Sequence, residues 1–463
     1  MDYIVEAEKK TPVSYEADVV ILGGGPGGAS AAIAAARNEA DVLVVERSNC
    51  LGGTTTGGLM TRMDVSHAIW GRIPHEKRVV QGIYLEIIER CKKLGGFIEE
   101  YEVKKWLAGM LSGVECLDPQ ILKFVLQEMA EEEGIHLLFH TLAVDAVIED
   151  KELKAVIIEN KSGRQAVRGR VFIDATGDGD IAVKAGAKYE MGRESDGMLQ
   201  PVTMTFRIGG VDVEEVFRTY GRKQKIYREI VPHNAHPYLR EVEEAKRVGV
   251  YSFPTGRFWF HLTPVKGVVY VNTTRIHGID PTKTENLTRA EVEGLRQVMQ
   301  LMNFVRKYMK GFENSHLVDV GSYIGVRESR RIIGEYILTR DDVLHARKFP
   351  DAIAAGSARI DIHDVKGAWS ELIAPPEGEY YQIPYRCILA KGLENVLTVG
   401  RCISTTHDAQ GATRMVPTTI AVAQGAGTAS ALSLKRGRTL RGINVPELQD
   451  ILIQQGGFIG SRT

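Results

Sequence analysis

The chain has 463 residues, 44% of them apolar and 25% charged, with a formal net charge of -1. That length calls for two or more domains, and the near-neutral charge removes any general attraction to nucleic acid or acidic lipid. The five cysteines, Cys50, Cys91, Cys116, Cys387 and Cys402, form no CxxC pair, which argues against an iron–sulfur cluster, a structural zinc or any other metal centre and for a reducing, cytoplasmic setting.

The N-terminus carries no positive cap followed by an apolar stretch, and no apolar string reaches the ~18 residues of a membrane span. From Ala17 to Leu22 an apolar strand is expected, running into Gly23, Gly25, Pro26, Gly27 and Gly28, then a small-residue helix and a second strand ending at Glu46 and Arg47. Gly23 permits the tight turn, Gly25 lets backbone approach a diphosphate, and Gly28 with Ala32 brings the helix close to the sheet. Glu46 stands at the tip of the second strand, where a carboxylate accepts ribose hydroxyls. Strand, helix, strand and acid in this order predict a dinucleotide-binding unit. Gly52, Gly53, Thr54, Thr55, Thr56 and Gly57 follow it as a loop whose hydroxyls and amides suit phosphates or a polar ring edge.

Val80, Ile83, Tyr84, Ile87, Ile88 and Cys91 share one face of a helix over 80–93. Asp118 and Pro119 open another helix that stops at Gly134. Strands follow over 135–139, 143–149 (starting with Ala143 and Val144), 153–160 and 166–173, the last two joined by the turn at Lys161–Gly163 as an antiparallel ribbon. Asp174, Ala175, Thr176, Gly177, Asp178, Gly179 and Asp180 then give glycines for a close backbone approach and acids for capping a helix. Residues 212–250 read as charged, aromatic and helical, 258–274 as strands, and Thr288 as the cap of a long helix with Glu291 in the capping-box place. A last strand ends at Gly400 and Arg401. Pro417, Thr418 and Thr419 open the final helix, whose N-terminus favours negative charge.

The expected fold is α/β, a three-layer Rossmann-like FAD/NAD(P)-binding domain carrying an inserted α+β substrate domain. Residues 1–199, with a helical excursion over about 64–117, form its first part, 200–320 the insertion, and 321–463 the return.

The motifs GGGPGG at 23–28, Glu46-Arg47, LGGTTTGG at 51–58, DATGDGD at 174–180, GVRESRRIIGEYILT at 325–339 and GRCISTTHDAQGATRMVPT at 400–418 resemble those of FAD-dependent oxidoreductases of the glutathione-reductase-like superfamily, in a branch distantly related to fumarate reductase flavoproteins. The resemblance covers nearly the whole chain and implies FAD as cofactor. It does not imply a substrate: His407 and Arg414 do not align with the arginine and histidine set by which fumarate reductases grip a dicarboxylate.

Flavin chemistry needs a group for the accompanying proton, and His407, in the loop before the last helix, is the first candidate. Arg414 suits a substrate carboxylate or the flavin edge. Arg327 and Arg330, three apart, are expected on one helix face toward the pocket, and His363 and His261 are further candidates. The leading expectation is two-electron transfer between a small organic substrate, carboxylate-bearing compounds among the candidates, and a separate acceptor. The alternatives are an NAD(P)H-using flavin monooxygenase and a tRNA-modifying or structural FAD-binding protein. No nucleic-acid or membrane partner is expected, and assembly as a homo-oligomer is left open.

Overall fold

Side-chain alternation along β1 (Val13–Leu22) assigns each face of the central sheet to a different layer: Val19 and Ile21 pack among helices, whereas Val20 and Leu22 pack into a second cluster. A strand buried on both faces needs a continuous apolar run, which is what the sequence supplies from Ala17 onward. The structure, a computed structural model, describes residues 2–461 apart from 6, 7, 9, 64–77, 100–114, 222–237, 253, 254, 256, 257, 368 and 369.

After β1 come α1 (Pro26–Arg37), β2 (Val42–Val45), α2 (Ile83–Lys93), α3 (Pro119–Glu132), β3 (His136–Leu138), β4 (Leu142–Glu149), β5 (Glu152–Asn160), β6 (Gly163–Asp174) and the short α4 (Asp180–Lys184). The sheet order is β3-β2-β1-β6-β5-β4. β3, β2, β1 and β6 run parallel, whereas β4, β5 and the first half of β6 pair antiparallel as the ribbon. The second half of β6 takes a different partner, β13 (Val396–Thr398), in parallel. The ribbon and the returning chain thus share one edge of β6, and the C-terminal ends of β1, β2, β6 and β13 gather at one rim. This is a Rossmann-like FAD/NAD(P)-binding fold with an inserted α+β domain.

Asp118 caps α3 as its sequence position predicts, accepting from the amides of Gln120 and Ile121. α2 begins at Ile83 rather than Val80 because Gly82 adopts φ 65°, a left-handed turn that sets the helix start. The expected excursion over about 64–117 and the expected helical stretch over 212–250 lie partly outside the described residues. Within them stand α2 and the two short strands Phe97–Glu99 and Glu115–Leu117, and, in the second stretch, the short helix Val213–Val216, the π-helical turn Phe217–Gly221 and the helix Leu239–Arg247.

A separate hydrophobic cluster runs from Val202 to Ile324. Its sheet has the order β8 (Phe260–Leu262), β9 (Val269–Val271), β7 (Phe206–Gly209), β10 (His316–Val320), all antiparallel. Phe258, Phe260, Phe304 and Phe312 meet there edge-on or tilted, with centroids 5.4–6.0 Å apart. α5 (Thr284–Tyr308) covers this sheet.

The expected cap of α5 is incorrect. The helix starts one turn earlier, with Lys283 at the cap position. Asp280 folds back onto the amide and hydroxyl of Thr282, so the turn ends before Thr284 and leaves Thr288 inside the helix. Glu291 accepts instead from the Ile324 amide at 2.6 Å.

α7 (Val416–Lys435) is buried almost throughout and crosses α1; it is not the final helix expected from the sequence, because Asn444 caps one more, Val445–Gln454. A Cβ at Gly427 would stand 2.1 Å from the Ala31 carbonyl oxygen, and one at Gly28 would stand 1.8 Å from the Gly23 carbonyl oxygen. No side chain fits either position. We predict that Gly427→Ala lowers stability by about 1–3 kcal/mol through overpacking, read as a shift in the urea-unfolding midpoint; an unchanged midpoint would refute this account of the crossing.

Candidate functional site

Two helix N-termini meet at the rim of the sheet. α1 is capped by Gly25 and α7 by Met415, neither with a side-chain cap bond, and both have proline in the first turn, Pro26 and Pro417. Their free amides point toward the space before them. A Cβ built on Gly27 would lie 3.2 Å from Thr419 Cγ2 and 3.5 Å from the Gly400 amide nitrogen, so both ends and the β13 turn share one crevice. Gly25 and Gly400 have nothing within 4 Å of the Cβ position, which leaves open space at both turns. Gly23, at φ 101°, packs on the Ala175 carbonyl oxygen, which would be 2.6 Å from a Cβ. Uncapped donors facing an open glycine cradle suit the diphosphate of a dinucleotide.

Glu46 is buried and tied to the same turn: Oε2 accepts from the Gly24 amide at 2.6 Å and Oε1 from the Ser48 amide at 2.7 Å. Arg47 lies over the Tyr323 ring, 5.7 Å from its centroid. Chain leading to β4 crosses here, Thr141 donating to the Glu46 carbonyl at 3.0 Å, which brings Ala143 and Val144 close to the β2 end.

The threonine loop lies against the cradle and also bonds to itself. Gly52 donates to the Gly24 carbonyl, and Gly53 would press on Gly25 Cα at 2.9 Å, so the loop does sit against the cradle. The Thr55 and Thr56 hydroxyls, however, donate to Gly52 and Leu51 carbonyls within the loop, each at 2.7 Å. These bonds shape the turn. Gly57 packs on Tyr323, with Thr54 on the same turn.

At the end of β6, Asp174 accepts from Thr176 through Oδ1 and from the Ile181 and Ala182 amides through Oδ2, at 2.7–3.0 Å. It is this strand residue that caps α4. Arg401 pairs with Asp178 at 2.7 Å and covers Gly177. Arg330 pairs with Asp180 and donates to the Asp178 carbonyl. Burial, with the charges of Asp178 and Asp174, raises the Asp180 carboxyl to about 6.

Arg327 and Arg330 do not share a helix. Arg330 begins β11 (Arg330–Ile332), which pairs with the strand Tyr189–Met191, so strand pairing overrides the helical spacing and sends the two arginines to different neighbours. Arg331, opposite to Arg330 in the pleat, gives Nη1 to Glu328 at 2.6 Å. Glu328 also holds His407: Nδ1 is 2.7 Å from the same Oε1. Glu328 is fully buried and Arg331 2% exposed. His407 opens α6 (His407–Thr413), where Thr406 is the cap. Among the described residues its Nε2 makes no hydrogen bond, so one ring nitrogen is fixed and the other is left for a partner. In the sequence Glu328 stands between Arg327 and Arg330 without a pattern of its own, and its pairing with a histidine 79 positions away gives no local signal.

α6 packs on β12 (Ile360–His363), with Gly411 against Asp361. Arg414 donates Nη2 to the Asp361 carbonyl at 2.9 Å. His363 Nδ1 lies 2.7 Å from Arg275 Nη2, and its Nε2 lies 3.6 Å from Asp361. Burial, then the Arg327 charge, pushes His363 down to about 3, so the imidazole is neutral. Gln200 links the two groups, donating its amide to Glu328 and accepting from the His363 amide. His261 is buried 3.3 Å from Arg62 and stacked on Tyr270, held neutral by burial and by that arginine. Arg275 and Asp361 were missed in the sequence, because neither belongs to a local pattern.

Removing Glu328 leaves buried Arg331 with only the more distant Glu190, 3.8 Å away, as a counter-charge and takes the partner of His407 Nδ1. We predict that Glu328→Ala costs about 3–5 kcal/mol in chemical denaturation, far beyond a surface ion pair; a loss below ~1 kcal/mol would place the pair in solvent.

A family model described as FAD dependent oxidoreductase matches residues 18–452. No curated protein matches the sequence. Among solved structures, the chain is similar to L-amino acid deaminase from Proteus vulgaris at 13% identity, with 96% of this chain and 99% of that one covered and a TM-score of 0.45. It is similar to L-proline dehydrogenase from P. horikoshii at 14% identity, with 95% and 98% covered and a TM-score of 0.42. For p-nitrophenol 4-monooxygenase from Pseudomonas putida the values are 10%, 94%, 84% and 0.47.

Proposed function

This chain belongs to the FAD dependent oxidoreductase family, and from that premise we propose that it passes two electrons, as hydride, between a small organic substrate and a separate acceptor. FAD is the cofactor, and when bound it supplies a ring that accepts or donates hydride. The observation that carries the reading is the meeting of two uncapped helix N-termini over the open glycines Gly25 and Gly400.

The residues present fit that cofactor. Gly23, Gly25, Pro26, Gly27 and Gly28 would hold the diphosphate, Glu46 and Arg47 the adenosine side, and Ala143 and Val144 the adenine edge. Gly52, Gly53, Thr54 and Gly57 would close over the cradle, with Thr55 and Thr56 keeping that loop in shape. Ala175, Thr176, Gly177 and Asp180 would line the middle of the crevice. Gly400, Arg401, Pro417, Thr418 and Thr419 would meet the ring end, where the α7 N-terminus favours negative charge.

In the direction of substrate oxidation, the substrate loses a hydride and a proton. His407 Nε2 takes the proton, while Glu328 on Nδ1 fixes the tautomer and steadies the imidazolium that forms. Arg330 and Arg401 act by holding Asp180 and Asp178, so their part is to shape the crevice wall. Arg327 and Arg414 face the substrate side.

Gly25→Ala tests the cradle. The added methyl meets no protein atom and the backbone angle is ordinary, so the fold should persist while FAD affinity falls at least ~10-fold, measured by fluorescence titration. Unchanged affinity would remove the diphosphate from this turn.

The chemistry is tested by anaerobic reduction of the holoprotein with small acids, alcohols, amines and NAD(P)H. A substrate should bleach the flavin directly, and His407→Gln should slow that step by about 10²–10⁴-fold with FAD retained. Rapid bleaching by NAD(P)H, coupled to oxygen uptake only when an organic substrate is present, would replace this reading by a monooxygenase.

A further inference from the structure

Arg327 sits where the inserted domain meets β12. Its Nη1 donates to the Pro201 carbonyl at 2.8 Å and to the Thr203 hydroxyl at 2.5 Å. Among the described residues its Nε and Nη2 make no hydrogen bond, although the side chain retains some exposure. The residue is half-buried, so one edge of a guanidinium otherwise enclosed by protein is left without a protein partner among the described residues. The two donors on that edge are parallel, the geometry that matches a carboxylate with two bonds.

The surrounding charges make the same demand. Arg414 approaches from the end of α6 and Arg275 from the strand end after β9, while Asp361 is the carboxylate between them, 3.9 Å from Arg414. Burial, followed by Arg414 and Arg275, pushes the Arg327 guanidinium down to about 9. Arginine keeps its proton in proteins, so the buried guanidinium stays charged among charges of its own sign. Asp361 stays ionised: burial opposes its charge, but His363, Arg414 and Arg359 outweigh it and lower its pKa. His363 adds no positive charge, being neutral and accepting from Arg275. Cations therefore exceed acids around an edge with unused donors.

We propose that the Nε–Nη2 edge of Arg327, flanked by Arg275 and Arg414, anchors a carboxylate of the substrate, which is therefore a small organic acid. The assignment rests on the reading of the neighbouring crevice as the FAD site, and it places the substrate between the inserted domain and the α6–β12 layer. A phosphate shares the oxyanion chemistry but needs further donors for its third oxygen. Position matters as well as charge: Arg327 is fixed through Pro201 and Thr203, so the fork is oriented before the anion arrives.

The test uses the purified holoprotein, its bound-FAD absorbance and calorimetry, with malonate, the uncharged malonamide and inorganic phosphate as probes. Malonate should bind at least ~30-fold more tightly than malonamide, as a charge-assisted bidentate contact requires. Arg327→Met should weaken malonate by a similar factor while FAD content and the affinity for malonamide stay the same, and Arg327→Lys should recover only part. Equal affinity for malonate and malonamide in the unaltered protein would overturn the proposal, whatever the variants do. So would malonate binding unchanged in Arg327→Met, or phosphate binding more tightly than malonate. Failure of the FAD reading looks different: the purified protein would carry no flavin, whereas calorimetry with malonate reports the anion site directly.

Discussion

The contact on which the crevice depends is the crossing of α1 and α7. At Gly427 backbone meets backbone, and at Gly28 the helix meets its own preceding turn, so both distances are fixed by the absence of side chains. Helices that approach so closely bring their first turns together at one rim of the sheet. Two sets of unbonded amides then act on the same volume, and a negatively charged group there meets both dipoles. Pro26 and Pro417 help by leaving one N–H fewer to satisfy in each first turn.

Around this rim the protein has put its buried charges in linked pairs. Glu328 serves Arg331 and His407 at once, Asp178 serves Arg401, and Asp180 serves Arg330. Arg331, Arg401 and Arg330 are thereby matched and held still, which keeps that part of the crevice wall rigid. Arg327 departs from that pattern. Its neighbours of like charge and its two unused donors leave an imbalance that a ligand would correct.

The inserted domain is part of the site by contact as well as by sequence. Thr205 donates to the Gly58 carbonyl, Thr203 holds Arg327, and Arg275 reaches His363 on β12. Loop 52–58, the insertion and the α6–β12 layer therefore meet as three walls. On the proposed function, a change of insertion sequence would alter the substrate side while the elements proposed to hold the cofactor, α1, β6 and α7, are left intact.

Local order was legible in the chain. The glycine turn after Leu22, the Asp118 cap, the ribbon turn at Gly163 and the late helix behind Pro417 follow from short-range rules of backbone conformation and apolar period. Where two adequate starts competed, as for α5, the nearby Asp280 turn won over the capping box at Thr288. Strand pairing likewise won over helical spacing at Arg330. The partners of charged groups were beyond reach of any such rule: Glu328 with His407, and Arg275 with His363, join positions tens of residues apart. The sequence by itself determined the dinucleotide unit, because its chemistry lies in neighbouring backbone atoms. Only the tertiary structure decided which cations are neutralised and which face an open edge, because electrostatic pairing in a buried site depends on what the fold brings within a few ångströms.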